Sequence, residues 1–266
     1  MDILFWITLF ASGFLAATVG SLIGAGGGFI LVPILLLKFP HESAGVITSM
    51  SQIVVLITSI SACIIYARDK RISYQWSFSI AISGIIGMAS GAYTVEQLSR
   101  TSFQLLFGTT CLVLTIYLFL KPLRKGAAIS IEDARKLSIQ LNIKKRIGLF
   151  ILGLFTSFMG GILGIGGGIL IVPSLVQIFS FPAHFATATS QMVILITSPA
   201  AVLVHMANTP INEKFITICL LGAGAIVGAQ AGARISKYFS APWLIRFLSL
   251  ALGVVGIQLI RASLSV

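Results

Sequence analysis

The residues of this chain best suited to chemistry are uncharged, and they occur twice. The pattern Gly20-x-x-x-Gly24-x-Gly26-Gly27-Gly28-x-x-x-Val32-Pro33 returns 140 positions later as Gly160, Gly164, Gly166, Gly167, Gly168, Val172 and Pro173. Glycines this dense abolish helix and free the backbone to reach positive φ. The helix that resumes at Gly28 or Gly168 presents unpaired N–H groups and the positive end of its dipole. Such an end binds oxyanions, and bare glycine lets the ligand approach closely. Two copies would converge on one substrate. The candidate binding backbone is therefore Gly24, Gly26, Gly27 and Gly28 with Gly164, Gly166, Gly167 and Gly168.

Each glycine run is followed by a polar stripe. Thr48, Gln52, Val55 and Ser59 fall at i, i+4, i+7 and i+11, one helix face, and Thr187, Gln191, Ile194 and Ser198 repeat it. With Ser51 and Ser190 beside the glutamines, these hydroxyls and amides could complete the shell around a substrate. Two structural readings stand beside this one. The glycines could serve close helix approach of the small-xxx-small kind, and the stripe could lock helices by hydrogen bonds.

Other chemistry is thinly represented. No carboxylate stands in the middle of an apolar run, so the buried acidic relay of many proton pumps is missing and recognition by amides, hydroxyls and dipoles suits an anion. Cys63, Cys111 and Cys219 lie singly, without metal-ligand spacing, and read as packing thiols. His41, His184 and His205 stand near span ends and could titrate near neutral pH, although a lone interfacial His is more often incidental. Arg246 can snorkel or attract an anion. A dinucleotide fingerprint fails at Phe29 and Ile169, which occupy the place of its third glycine, and no enzyme constellation is present. Neither an enzyme, a metal nor a cofactor is expected.

The elements that must position these residues are membrane helices. Of 266 residues 57% are hydrophobic and 9% charged, with a mean hydropathy of +1.03, far from the roughly 25% charged residues of a soluble domain. No Asp, Glu, Lys or Arg falls in 3–37, 43–67, 72–95, 101–120, 147–212 or 215–233, and about 20 apolar residues suffice for one crossing. Nothing alternates as a barrel would. The net charge of +11 does not signal nucleic acid, because the basic residues sit at the ends of apolar runs. The start, Met1-Asp2, lacks a basic leader region, so the first segment is expected to remain as an anchor.

The duplication extends well beyond the glycines. Phe39-Pro40 answers Phe181-Pro182, residues 48–54 answer 187–193, and Gly87–Ala92 answers Gly228–Ala233. We expect an all-α polytopic membrane protein of two internal repeats, residues 1–120 and 147–266, joined by a basic cytoplasmic loop over 121–146. Each repeat has four main helices: a first one broken at GxGGG (3–37; 147–179), a polar-faced one (about 43–66; 184–206), a glycine-rich one (about 73–94; 214–234) and a closing one (about 99–120; 242–263). Residues 3–23 cover about 31 Å, which puts the glycines near the far side and requires 29–37 to turn back. Each half then crosses an odd number of times, and the halves are inverted, a common transporter plan. The positive-inside rule holds the central loop in the cytoplasm with either an odd or an even count.

These segments resemble the sulfite exporter TauE/SafE family of bacterial membrane proteins over nearly the whole chain. The family motif matches Gly24, Gly26, Gly27, Gly28, Pro33 and Gly164, Gly166, Gly167, Gly168, Pro173; Thr48 departs from the alanine often found ahead of the T-S-Q segment. The resemblance implies a multi-pass carrier in the cytoplasmic membrane for sulfite, a sulfonate or a small organic acid anion, directed outward. A passive anion channel and a non-transporting assembly protein are the alternatives, and homo-oligomerisation is left open.

Overall fold

The computed structural model describes residues 3–120, 143–179, 181–209, 214–238 and 241–264, and among these there are helices and turns but no strand. The first half contributes α1 (Ile3–Ile23), α2 (Gly28–Lys38), α3 (Ala44–Arg68), α4 (Tyr74–Val95) and α5 (Arg100–Leu120). The second contributes α6 (Ile143–Leu163), α7 (Gly168–Gln177), α8 (Ala183–Asn208), α9 (Phe215–Ile235) and α10 (Ala241–Leu264). Among the described residues six helices, α1, α3, α4, α6, α8 and α9, are long and apolar enough to cross a membrane. The expected basic loop of 121–146 lies outside the described residues as far as 142. Ile82, Ile86, Phe155 and Leu203 are exposed while Thr48, Ser51, Gln52, Ser190 and Gln191 are buried, the arrangement a lipid solvent selects.

The glycine runs break the helices as their conformational freedom predicts. Gly24, Gly26 and Gly27 have φ of 84, 78 and 89°, and Gly164, Gly166 and Gly167 have 67, 75 and 79°. Ala25 N–H and Gly26 N–H both donate to Gly20 O, at 2.8 and 3.3 Å, which closes the turn before α2 begins.

The short limb α2 turns back toward the end of the bundle where α1 starts. Phe39, just beyond it, meets Phe5 edge-on at 6.4 Å, and Lys38 Nζ donates to Thr8 Oγ1 at 2.7 Å. Arg100 holds this return by donating to Leu36 O, Phe39 O and Glu42 O, a cation where the helix dipole is negative. The turn itself is level with the middle of α3 and α8, since Gly26 lies against Val55 and Ile194. This is nearer mid-bundle than the length of α1 suggests. There the exposed peptide groups of the break are enclosed by protein.

The end where α1 starts is the near end, and the other the far end. The helix α3 leaves the near end and α4 returns to it. Glycine contacts then set the direction of the second half. Gly153 lies against Ile80 O, Gly87 against Leu154 O and Gly91 against Phe158 O, so α6 runs parallel to α4. Gly224 lies against Phe10 O, Gly228 against Phe14 O and Gly232 against Thr18 O, so α9 runs parallel to α1. Each pairing keeps a counterpart when the halves are exchanged: α1 with α9 and α6 with α4, α3 with α9 and α8 with α4, α5 with α10. Close small-residue packing is thus real here, carried chiefly by the glycine-rich helices. A Cβ at Gly224 would stand 2.1 Å from Phe10 O. Gly224→Leu is therefore expected to destabilise the protein by at least about 2 kcal/mol, read as a fall in the thermal unfolding midpoint in detergent; an unchanged midpoint would refute the α1–α9 contact.

Candidate functional site

The two glycine turns meet at the centre of the bundle. A Cβ on Gly28 would stand 2.5 Å from Gly164 O, and one on Gly168 would stand 2.3 Å from Gly24 O. The helices that follow, α2 and α7, start from this contact and leave toward opposite ends. Their first amides are poorly satisfied. The N–H groups of Ile30 and Leu31 reach Gly27 O, and those of Leu170 and Ile171 reach Gly167 O. Among the described residues the N–H groups of Gly27, Gly28 and Phe29, and of Gly167, Gly168 and Ile169, have no acceptor. All six residues are buried, and unpaired buried donors are costly, so they are rarely kept without a use.

The polar helices serve these turns crosswise, each working on the turn of the other half. Ser51 Oγ on α3 donates to Gly164 O at 2.7 Å, and Ser190 Oγ on α8 donates to Gly24 O at 2.9 Å. Thr48 packs over Gly164 and Thr187 over Gly24. Their hydroxyls return to their own helices, Thr48 to Ala44 O and Thr187 to Ala183 O, each at 2.9 Å. The threonines thus offer contact surface to the turns, and their donors are spent. Val55 and Ile194 each touch both Gly26 and Gly166, which seals the centre with apolar groups.

The glutamines break the symmetry. Gln191 Nε2 donates to Gly20 O at 3.2 Å, whereas Gln52 Nε2 donates to Ser198 Oγ at 3.0 Å. Both Oε1 atoms are buried without a partner. Ser51, Thr48, Ser190 and Thr187 thus lie against the two touching turns and Gln191 reaches Gly20 O, whereas Gln52 is buried against Ser198 and Met88. Two helix N-terminal dipoles and six unpaired amides make the meeting of the turns a donor-rich place that favours negative charge, while the serine O–H groups are taken up by Gly164 O and Gly24 O. No groups of three or more His, Cys, Asp or Glu that could hold a metal occur among the described residues.

Sequence reasoning missed the junctions that close the two ends. At the near end Glu96 Oε1 accepts from Thr209 Oγ1 and pairs with His205 Nδ1, both at 2.7 Å. At the far end Arg71 donates to Ser236 Oγ at 2.9 Å and to His184 O at 3.2 Å, with its guanidinium over the Tyr66 ring. Burial lowers the Arg71 pKa, and the nearby Tyr66 and Asp69 offset this only in part. The signals were slight: one carboxylate at the end of a span, and one Arg in a short interhelical turn.

The chain is similar to known membrane proteins along most of its length. The family model described as "Sulfite exporter TauE/SafE" matches residues 9–259. A Bacillus subtilis protein named "Probable membrane transporter protein YunE" is 29% identical, with 96% of this chain and 97% of that protein aligned. A Methanocaldococcus jannaschii protein named "Probable membrane transporter protein MJ0441" is 31% identical, over 92% of this chain and 91% of the relative. No solved structure matches.

Proposed function

The chain belongs to the sulfite exporter TauE/SafE family of membrane transporters, and from that footing we propose that it carries a small anion across the cytoplasmic membrane by alternating access. The observation that carries this reading is the meeting of two helix N-termini whose first amides are buried and unpaired. An oxyanion of sulfite, sulfonate or small carboxylate size would satisfy those donors once the turns part. Binding by neutral groups leaves the anion releasable.

Inverted halves are supported by the helix directions: α1 departs from the near end and α6 from the far end. Exchange of the halves would then convert an outward-open state into an inward-open one. The far end carries Arg68, Lys70, Arg71, Arg234 and Lys237 and adjoins the basic linker, so we assign it to the cytoplasm. The direct contact between the turns favours a carrier that must rearrange over an open channel.

Radiolabelled sulfite and sulfoacetate in proteoliposomes test the proposal. Wild-type protein should give saturable uptake and counterflow with at least one of them. The double variant Ser51→Ala, Ser190→Ala should fold and lose roughly tenfold in flux, the worth of two hydrogen bonds. Non-saturating flux would favour a channel. No flux, or flux unchanged in the variant, would overturn the site.

A further inference from the structure

The two end junctions occupy corresponding places and differ in chemistry. Along the repeated stretch Gln52 answers Gln191, and the same spacing brings Tyr66 opposite His205. At the far end the Tyr66 hydroxyl of α3 donates to Ser21 O on α1 and meets Ser236 at the end of α9, whereas His205 and Glu96 join α8 to α4 at the near end. The far junction is built of phenol, hydroxyl and guanidinium, with the half-buried His184 beside Arg71. The near junction is a carboxylate–imidazole pair in hydrogen-bond contact, a combination able to take up and release a proton.

The pair is built to hold one proton arrangement while closed. The His205 side chain is fully buried and that of Glu96 is 18% exposed. Burial pushes the Glu96 carboxyl up, but the hydrogen bonds from His205 and Thr209 outweigh it and hold the carboxyl below its ordinary value. Two acceptors cannot sit 2.7 Å apart, so Nδ1 carries the proton and donates to the carboxylate. In the neutral imidazole of that tautomer Nε2 is a lone pair, and it is buried with no partner.

We propose that His205 and Glu96 form the proton-binding site that couples anion transport to protons, with Nε2 of His205 taking up the proton and opening the near end. A proton on Nε2 creates an N–H with no acceptor in the closed junction, and it gains one only when α4 and α8 separate and admit water. Deprotonation restores the closed pair. The neighbouring charges do not compete. Glu42 and Lys214 pair with each other at 2.6 Å. Arg100 is spent on three carbonyls and Lys38 on Thr8, His41 is exposed, and Glu213 lies outside the described residues. An ionisable pair buried in a membrane bundle is costly and is kept where protons or ions move.

The proton site can be tested without a substrate, while its role in transport rests on the proposed function above. Spin labels at the exposed positions Gln97 and Asn208, with the three cysteines replaced by serine, report the gap between α4 and α8 in lipid nanodiscs. Between about pH 8 and about pH 5 the distance distribution should shift to longer values. In E96Q and in H205Q the shift should vanish. In proteoliposomes an imposed pH gradient should drive accumulation of sulfoacetate, which stays ionised in this range. E96Q should lose that accumulation roughly tenfold and give a flux that no longer depends on the imposed gradient. A merely structural pair would lower flux and leave its dependence on the gradient intact, and that result overturns the proposal. So would a distance independent of pH in the unmodified pair, or an E96Q response equal to wild type. Absent counterflow in wild type overturns the transport reading alone, because the spin-label response decides the proton site by itself.

Discussion

Leucine at Gly27 or Gly167 should keep the protein from reaching its native fold. Both glycines have φ near +80°, at 89 and 79°, and a Cβ on them would stand 2.5 Å from Ala16 O and 2.6 Å from Thr156 O. The left-handed backbone costs an L residue about 1–3 kcal/mol. Overpacking against a fixed carbonyl adds about as much or more. Together they approach the total stability of many domains, about 5–15 kcal/mol. Size-exclusion chromatography in mild detergent should show aggregate in place of a monodisperse peak. Gly28→Ala differs, since Gly28 is not in the positive-φ region and its Cβ would press on Gly164 O of the other half. That variant should fold and lose transport, because its added methyl group occupies the space beside the unpaired amides and keeps the turns from closing. A native-like Gly27→Leu protein would disprove the turn geometry.

Leucine at Gln191 should produce the opposite combination, a protein at least as stable as wild type with little transport. The amide is fully buried, and its Oε1 has no partner. An unsatisfied buried acceptor costs about 1–3 kcal/mol, more than the about 0.5–1.5 kcal/mol of the bond from Nε2 to Gly20 O. Gly20 O also keeps its bonds from Ala25 and Gly26. The thermal midpoint should stay or rise, while flux falls roughly hundredfold with loss of a polar group that would face the anion. Reduced stability together with unchanged flux would make Gln191 a structural residue.

Much of this architecture is legible in the residues alone, and the remainder for definable reasons is not. Charge-free runs mark the helices, glycine density marks the breaks, and repetition pairs Gly24 with Gly164 and Ser51 with Ser190. Helical spacing tells which residues share a face and does not tell which helix that face meets. Hence Ser51 reads as one more hydroxyl for a substrate shell, whereas it binds Gly164, 113 positions away. The Glu96–His205 pair is hidden for the same reason, with 109 positions between its members. The hydroxyls of Thr48 and Thr187 look free in sequence because a helix's own carbonyls, four residues back, are invisible competitors for them.

The exchange of partners between halves also governs how the molecule is made. A ribosome delivers α1 long before α9 and α4 long before α6, yet the glycine seams of α1 and α4 are completed only by those later helices. The early product in the bilayer is therefore a set of waiting helices with open grooves, and consolidation follows the emergence of the second half. A nascent chain stopped near residue 120 has no partner for either seam, so assembly quality control would meet it as an orphan.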